Sequence, residues 1–142
     1  MADTKLELMM TRDFDAPAER VFDAWLGKDW GEFVGPREVR GEVVAIDPKI
    51  GGRYRIVMHL PDGKTLTVGG IYRVIDRPRK IAFTWKWEHE ETDTLVTLTF
   101  KQQGGGTRLT LHHEGFAAVE RRDSHNGGWT STLEKLGKYL GK

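Results

Sequence analysis

Cysteine is absent from this sequence. That single gap excludes disulfide bridges, thiolate metal sites and cysteine nucleophiles together. Long apolar runs are missing too. No segment approaches the roughly 20 consecutive apolar residues of a membrane-spanning helix. Met1 to Met10, which carries Asp3, Lys5 and Glu7, has no apolar signal core, so the expected location is the cytoplasm. Neither sign of charge prevails: 22 Lys and Arg against 21 Asp and Glu leave a net charge of +1. Nothing in that balance points to a nucleic-acid or membrane partner, and no run of like charge is long enough to act as an interaction tail. Internal repeats and linker-like stretches are lacking as well. What remains is an ordinary globular composition over 142 residues, long enough for one core and short for two. Residues 1–142 are therefore expected to form a single domain, a monomer or weak dimer.

Glycine is plentiful, and many glycines stand where strand-like runs need turns: Gly51-Gly52, Gly63 and Gly104-Gly105-Gly106. Leu6 to Phe14 reads as an N-terminal strand. Asp15-Ala16-Pro17 opens a helix, with Asp15 as a plausible cap and Pro17 in the first turn. Val21, Phe22, Trp25 and Leu26 supply its buried face. A short helical turn over Asp29 to Phe33 ends at Gly35-Pro36. From Val39 to Glu114 the period is two. Strands are expected over Val39–Ile46, Arg53–Leu60, Leu66–Ile75, Lys80–Glu88, Leu95–Lys101 and Thr107–His113. Tyr54, Ile56 and Met58 share one face of the second of these. Ile81, Phe83, Trp85 and Trp87 share a face of the fourth, and Val96, Leu98 and Phe100 a face of the fifth. Leu109, Leu111 and His113 share a face of the last. Leu66–Ile75 has apolar residues on both faces and is left unoriented. Short connections imply an antiparallel meander, giving an α+β domain of about six to seven strands.

The chain closes with a helix from about Glu120 to Leu140. At 100° per residue, Trp129, Leu133, Leu136 and Leu140 fall on one stripe, which runs backwards through Arg122, His125 and Asn126. The face is apolar at one end and polar at the other, and Gly127 and Gly128 mark the change. Such a helix would close a core at one end and roof a cavity at the other. The alternative is a helix that starts near Gly128, with Arg122 to Asn126 in a loop.

An ordered set of short motifs spans the chain: Phe14-Asp15-Ala16-Pro17 with Val21-Phe22-Asp23-Ala24-Trp25; Gly35-Pro36; Asp47 with Gly51-Gly52-Arg53-Tyr54; Asp62-Gly63; Gly70 with Tyr72; Phe83-Thr84-Trp85; Gly106 to Leu111; His113-Glu114-Gly115-Phe116; and Gly128-Trp129 before Leu133 and Leu136. In this set the chain resembles the START-like (SRPBCC) superfamily, and within it the family named for the activator of the Hsp90 ATPase. The resemblance implies a helix-grip (START/Bet v 1-like) fold, a curved antiparallel sheet around a long C-terminal helix with two short helices after the first strand. It also implies functions as varied as binding lipids, plant hormones or polyketides, a few enzymatic activities, and a co-chaperone role. One departure stands out. Relatives often carry two tryptophans directly before the Gly-Pro, where this chain has Phe33-Val34, with a tryptophan earlier at Trp30.

The histidines do not make a metal site. His112-His113-Glu114 and Glu88-His89-Glu90-Glu91 lack a spacing that puts two donors on one face with a third nearby, so no metal or cofactor is expected. His113, on an apolar face, is either a satisfied core histidine or a hydrogen-bonding group at one end of a cavity close to His125. No nucleophile with an attendant base is identifiable. The aromatic residues suit a pocket wall with a few convergent polar groups. The candidate ligand-binding set is Phe33, Tyr54, Met58, Trp85, Trp87, Leu98, His113, Phe116, Arg122, His125, Asn126, Trp129 and Leu133. Three functions are weighed. The first is a binder of a small lipophilic molecule between sheet and helix, one carrying a hydroxyl or carbonyl. The second is a module acting on an Hsp90-type chaperone. The third is a cyclase or hydrolase using His113 or Glu114 as acid or base, with non-enzymatic binding preferred.

Overall fold

The computed structural model describes residues 6–141. The reading of Met1 to Lys5 lies outside them. Strand β1 (Glu7–Phe14) leads into helix α1 (Ala18–Asp23), followed by two 3-10 turns, Ala24–Leu26 and Lys28–Glu32. Six strands follow: β2 (Arg40–Ile46), β3 (Arg53–His59), β4 (Thr65–Asp76), β5 (Lys80–Trp87), β6 (Thr94–Gln103) and β7 (Gly106–Glu114). Helix α2 (Val119–Leu140) closes the chain. The spatial order is β1-β7-β6-β5-β4-β3-β2, and every neighbouring pair is antiparallel. So β2 to β7 form the meander that short connections require. The α1 segment carries the chain from one edge of the sheet to the other.

Period-two patterning puts the core on one face. Leu98 stands opposite Leu111 and Ile81, and Val96 opposite His113 and Phe83. The alternate residues of β6, Thr97 and Thr99, pair with His112 and Thr110 on the other face. Trp129, Leu133, Leu136 and Leu140 of α2 are buried with these strands in one cluster. This is the helix-grip arrangement: a curved seven-stranded sheet holding one long helix. Helix α2 runs unbroken through Gly127 and Gly128, so the late-start alternative does not hold.

Two local expectations are corrected. Asp15 does not cap α1. Pro17 occupies the N-cap position with extended backbone and no side-chain cap. The Ala18 amide is satisfied instead from across the sheet, by the side-chain oxygen of Gln102 at 2.8 Å. The ambiguous strand β4 also becomes orientable. Val68 and Tyr72 point inward, and a bulge between Tyr72 and Val74 then shifts the register against β5. The bulge moves the apolar residues beyond it out of simple alternation, which is why both faces look apolar in sequence. The same strand needs Gly70, where a Cβ would lie 1.9 Å from the carbonyl oxygen of Thr84.

Candidate functional site: a divided cavity beside the C-terminal helix

His113 ends the inward face of β7 and is fully buried. Its Nδ1 accepts the indole N–H of Trp129 at 2.9 Å. Its Nε2 therefore carries the proton and donates to Thr94 Oγ1 at 2.7 Å. Thr94 in turn donates to the Trp85 carbonyl at 2.6 Å. Every polar atom of the relay has a partner. Burial, with smaller contributions from His125 and His112, pushes the His113 pKa down to about 2, so the ring is neutral at any ordinary pH.

A second indole–imidazole pair lies two strands away, at the end of β5. His125 Nδ1 is 2.7 Å from the Arg121 carbonyl, which can only accept, so Nδ1 holds the proton. The bare Nε2 accepts the indole N–H of Trp87 at 2.9 Å. Burial is the main force lowering the His125 pKa, and the Arg121 charge works in the same direction. The His125 ring also packs against Phe116 and His113, with centroids 5.0 and 5.2 Å apart.

Two chambers flank the Trp87–His125 contact. The first, about 200 Å³, lies between the far ends of β3 and β5 and the side of α2. Its apolar wall includes Met58, Leu60, Leu66, Trp85 and Trp129; His89, Ser124 and His125 bring polar atoms. The second, about 270 Å³, lies under the loop joining β5 to β6 and is bounded by Glu90, Glu91, Thr92, Thr94, Phe116 and Ala117. Trp85, Trp87, Arg121 and His125 line both. The Arg121 guanidinium is held by Glu90 at 2.8 Å.

The segment 33–39 floors the first chamber through Gly35, Pro36 and Val39. Gly35 has φ +83°, a conformation that favours glycine. Helix α2 pins this loop from above. Thr132 Oγ1 accepts the Gly35 amide at 2.9 Å. The Lys135 ammonium donates to the carbonyls of Val34, Pro36 and Val39 at 2.9, 2.9 and 3.1 Å.

Of the candidate residues, Met58, Trp85, Trp87, His125 and Trp129 meet around the first chamber, and Phe116 lines the second. Phe33, Tyr54, Leu98, Leu133 and His113 are buried in the core and line neither chamber. Tyr54 is occupied by a hydrogen bond to the Thr84 carbonyl. Trp30 does not replace the missing aromatic pair at a cavity wall; it packs among Trp25, Tyr54 and Phe83. Arg122 pairs with Asp123 at 3.2 Å, and Asn126 is exposed.

The correction on α2 is geometric. Counting 100° per residue from Trp129, the cavity residues Arg121, Ser124, His125, Gly128 and Thr132 all lie to one side, centred about 80° away. Arg122 and Asn126 lie on the axis of the core stripe or beyond it, away from the void. The cavity flank adjoins the core stripe instead of continuing it. The spacing 121, 125, 128, 132 is itself a helical face and was the signal available in sequence.

Glu114 alternates to the outer face of the sheet, where it lies 3.4 Å from His112. Among the described residues no group of three or more His, Asp or Glu side chains is placed to hold a metal ion. No helix among them is long and apolar enough to cross a membrane.

The sheet and its long helix define a helix-grip domain. The family model for Activator of Hsp90 ATPase homolog 1-like protein matches residues 15–141, and the chain belongs to that family. Solved structures agree on the fold. A protein from Chromobacterium violaceum superposes with a TM-score of 0.90 at 22% identity, over 96% of this chain and 97% of that one. A protein from Silicibacter pomeroyi, named for the same family, gives 0.82 at 26% identity, over 95% and 97%. One from Mycobacterium smegmatis gives 0.81 at 24% identity, over 96% and 92%. No curated protein matches the sequence significantly.

Proposed function

We propose that the protein binds a small lipophilic molecule in the chamber between β3, β5 and the flank of α2. The observation that carries this reading is the space at Gly128. This glycine lines the chamber, lies in a helix interior, and has no atom within 4 Å of where its Cβ would be. An alanine there would favour the helix by about 1 kcal/mol; Gly127 beside it faces solvent, while the missing side chain of Gly128 leaves the chamber open. The wall supports the same reading, being mostly apolar with a few polar groups. Trp85, on that wall, keeps an indole N–H without a hydrogen-bond partner, as do Trp25 and Trp30 in the core. A void of roughly 150 Å³ already holds benzene, so this chamber suits a single substituted ring or a short chain.

A docking surface for a chaperone has weaker support. The large exposed apolar side chains Met9, Val44, Ile50, Leu66 and Val119 are spread over β1, β2, the turn after it, β4 and α2.

The test is thermal stabilisation by small aromatic alcohols, ketones and short acyl compounds. A compound at 100 times its Kd should add about 2.7 kcal/mol of stability. Gly128→Leu, which fills the chamber without breaking a contact, should abolish that gain. No stabilisation of the wild type, or equal stabilisation of both proteins, would sink the reading.

A further inference from the structure

Each chamber alone is smaller than the roughly 300–1,000 Å³ common for ligand sites, while the two together fall within that range. The side chains that line both are Trp85, Trp87, Arg121 and His125; among them Trp87 Nε1–H donates to His125 Nε2, with the Arg121–Glu90 ion pair alongside. Both contacts link β5 and the loop after it to the first turns of α2. Trp87 is only half-buried at the end of its strand, and its indole has space on both sides because it lines both chambers.

We propose that the Trp87–His125 hydrogen bond is a removable partition that sets ligand length. In place, it limits the site to a compact ligand in the apolar chamber. Displaced, it joins the chambers and admits an elongated amphiphile, its apolar body against Met58, Leu66 and Trp129 and its head among Thr92, Thr94 and Glu91. That head is neutral. The guanidinium lining the second chamber is already held by Glu90, and Glu91 adds another carboxylate, so an anionic head finds no free cation there. Trp87 and His125 thereby determine specificity. The inference rests on the ligand-binding reading of the cavity.

The experiment uses straight-chain 1-alkanols from butanol to decanol, with binding followed by calorimetry and by the indole N–H signals of the five tryptophans. In the wild type, each added methylene tightens binding about fourfold until the first chamber is full. The gain then drops, because longer chains must break the partition. Decanol should shift the Trp87 indole signal, and butanol should not. Trp87→Phe keeps a ring but removes the donor, and His125→Leu removes the acceptor. Each should improve the decanol-to-butanol affinity ratio about 3–10-fold, the worth of one net hydrogen bond. His125→Gln, whose amide oxygen still accepts, should keep the wild-type ratio. If alkanols bind but the ratio is the same in all four proteins and the Trp87 signal never moves, the partition is refuted and the cavity reading survives. If no alkanol binds any of them, both fall. Decanoate binding as tightly as decanol would overturn the neutral head and with it the assignment of the second chamber.

Discussion

Trp129 donates its indole N–H to Nδ1 of His113 at 2.9 Å, tying the middle of α2 to the end of β7 inside the core. The bond needs a neutral imidazole, because a protonated ring has no acceptor to offer. The His113 pKa falls from 6.5 to about 2 in the fold, chiefly through burial. The unfolded chain takes up a proton below pH 6.5, and the folded chain does not until near pH 2. The stability from this group is therefore complete above pH 6.5 and is lost as pH falls below it. The loss is about 2.5 kcal/mol between pH 7 and pH 4.5, on a slope of about 1.4 kcal/mol per pH unit. Urea unfolding across that window should show it. His113→Gln, which can accept from Trp129 and donate to Thr94, should flatten the profile by that amount. An unchanged slope in the variant would refute the assignment.

Trp129→Phe isolates the hydrogen bond from the burial of the ring. It strands the Nδ1 lone pair of a fully buried imidazole, so about 1–2 kcal/mol of stability should be lost. In the same variant His113 should titrate nearer its ordinary range, visible as an upward movement of its proton-detected pKa. Thr94→Val, which removes the partner at Nε2, should produce a loss of similar size. Equal stability of Trp129→Phe and wild type would mean that the relay contributes nothing.

Much of this arrangement was legible in sequence because strand alternation is a local signal. The inward run Leu109, Leu111, His113 follows from period two alone, and so do Tyr54–Met58 and Ile81–Trp87. The helix was legible because Trp129, Leu133, Leu136 and Leu140 share a stripe. The site was less so, because a cavity is defined by where side chains do not reach. Phe33, Leu98 and Leu133 have the chemistry of pocket walls, yet neighbours close over them. Arg121 and Gly128 have no apolar signature, yet they border the void. The bulge in β4 and the close approach of Gly70 to Thr84 are both relations between strands that no pattern within one strand reveals.

Gly127 offers a direct test of how α2 is built. It is exposed in a helix interior, with nothing within 4 Å of a Cβ. Gly127→Ala should raise stability by about 1 kcal/mol, or the melting temperature by about 3 °C. Gly70→Ala should do the opposite, losing about 3 kcal/mol or more, because its Cβ would meet the Thr84 backbone at 1.9 Å. Differential scanning calorimetry on both variants checks the pair. A destabilised Gly127→Ala would mean that α2 is not continuous through its glycines.

Lys135 governs the floor of the first chamber from the same flank of that helix. Its ammonium donates to three carbonyls of the segment 33–39, and burial lowers its pKa from the usual lysine value. Three converging carbonyls suit a compact tetrahedral donor. The planar fork of arginine is built for parallel acceptors. Lys135→Met should lose about 2 kcal/mol, the worth of hydrogen bonds to a charged donor. It should also speed hydrogen exchange at the Val39 amide, which bonds within this loop to Pro36. Lys135→Arg should restore the charge but not the protection, because its donors cannot reach all three oxygens. Loosening the loop also moves Gly35, Pro36 and Val39, so ligand stabilisation should weaken in both variants while Gly127→Ala leaves it intact. Full protection at Val39 in Lys135→Met would show that Thr132 alone holds the loop.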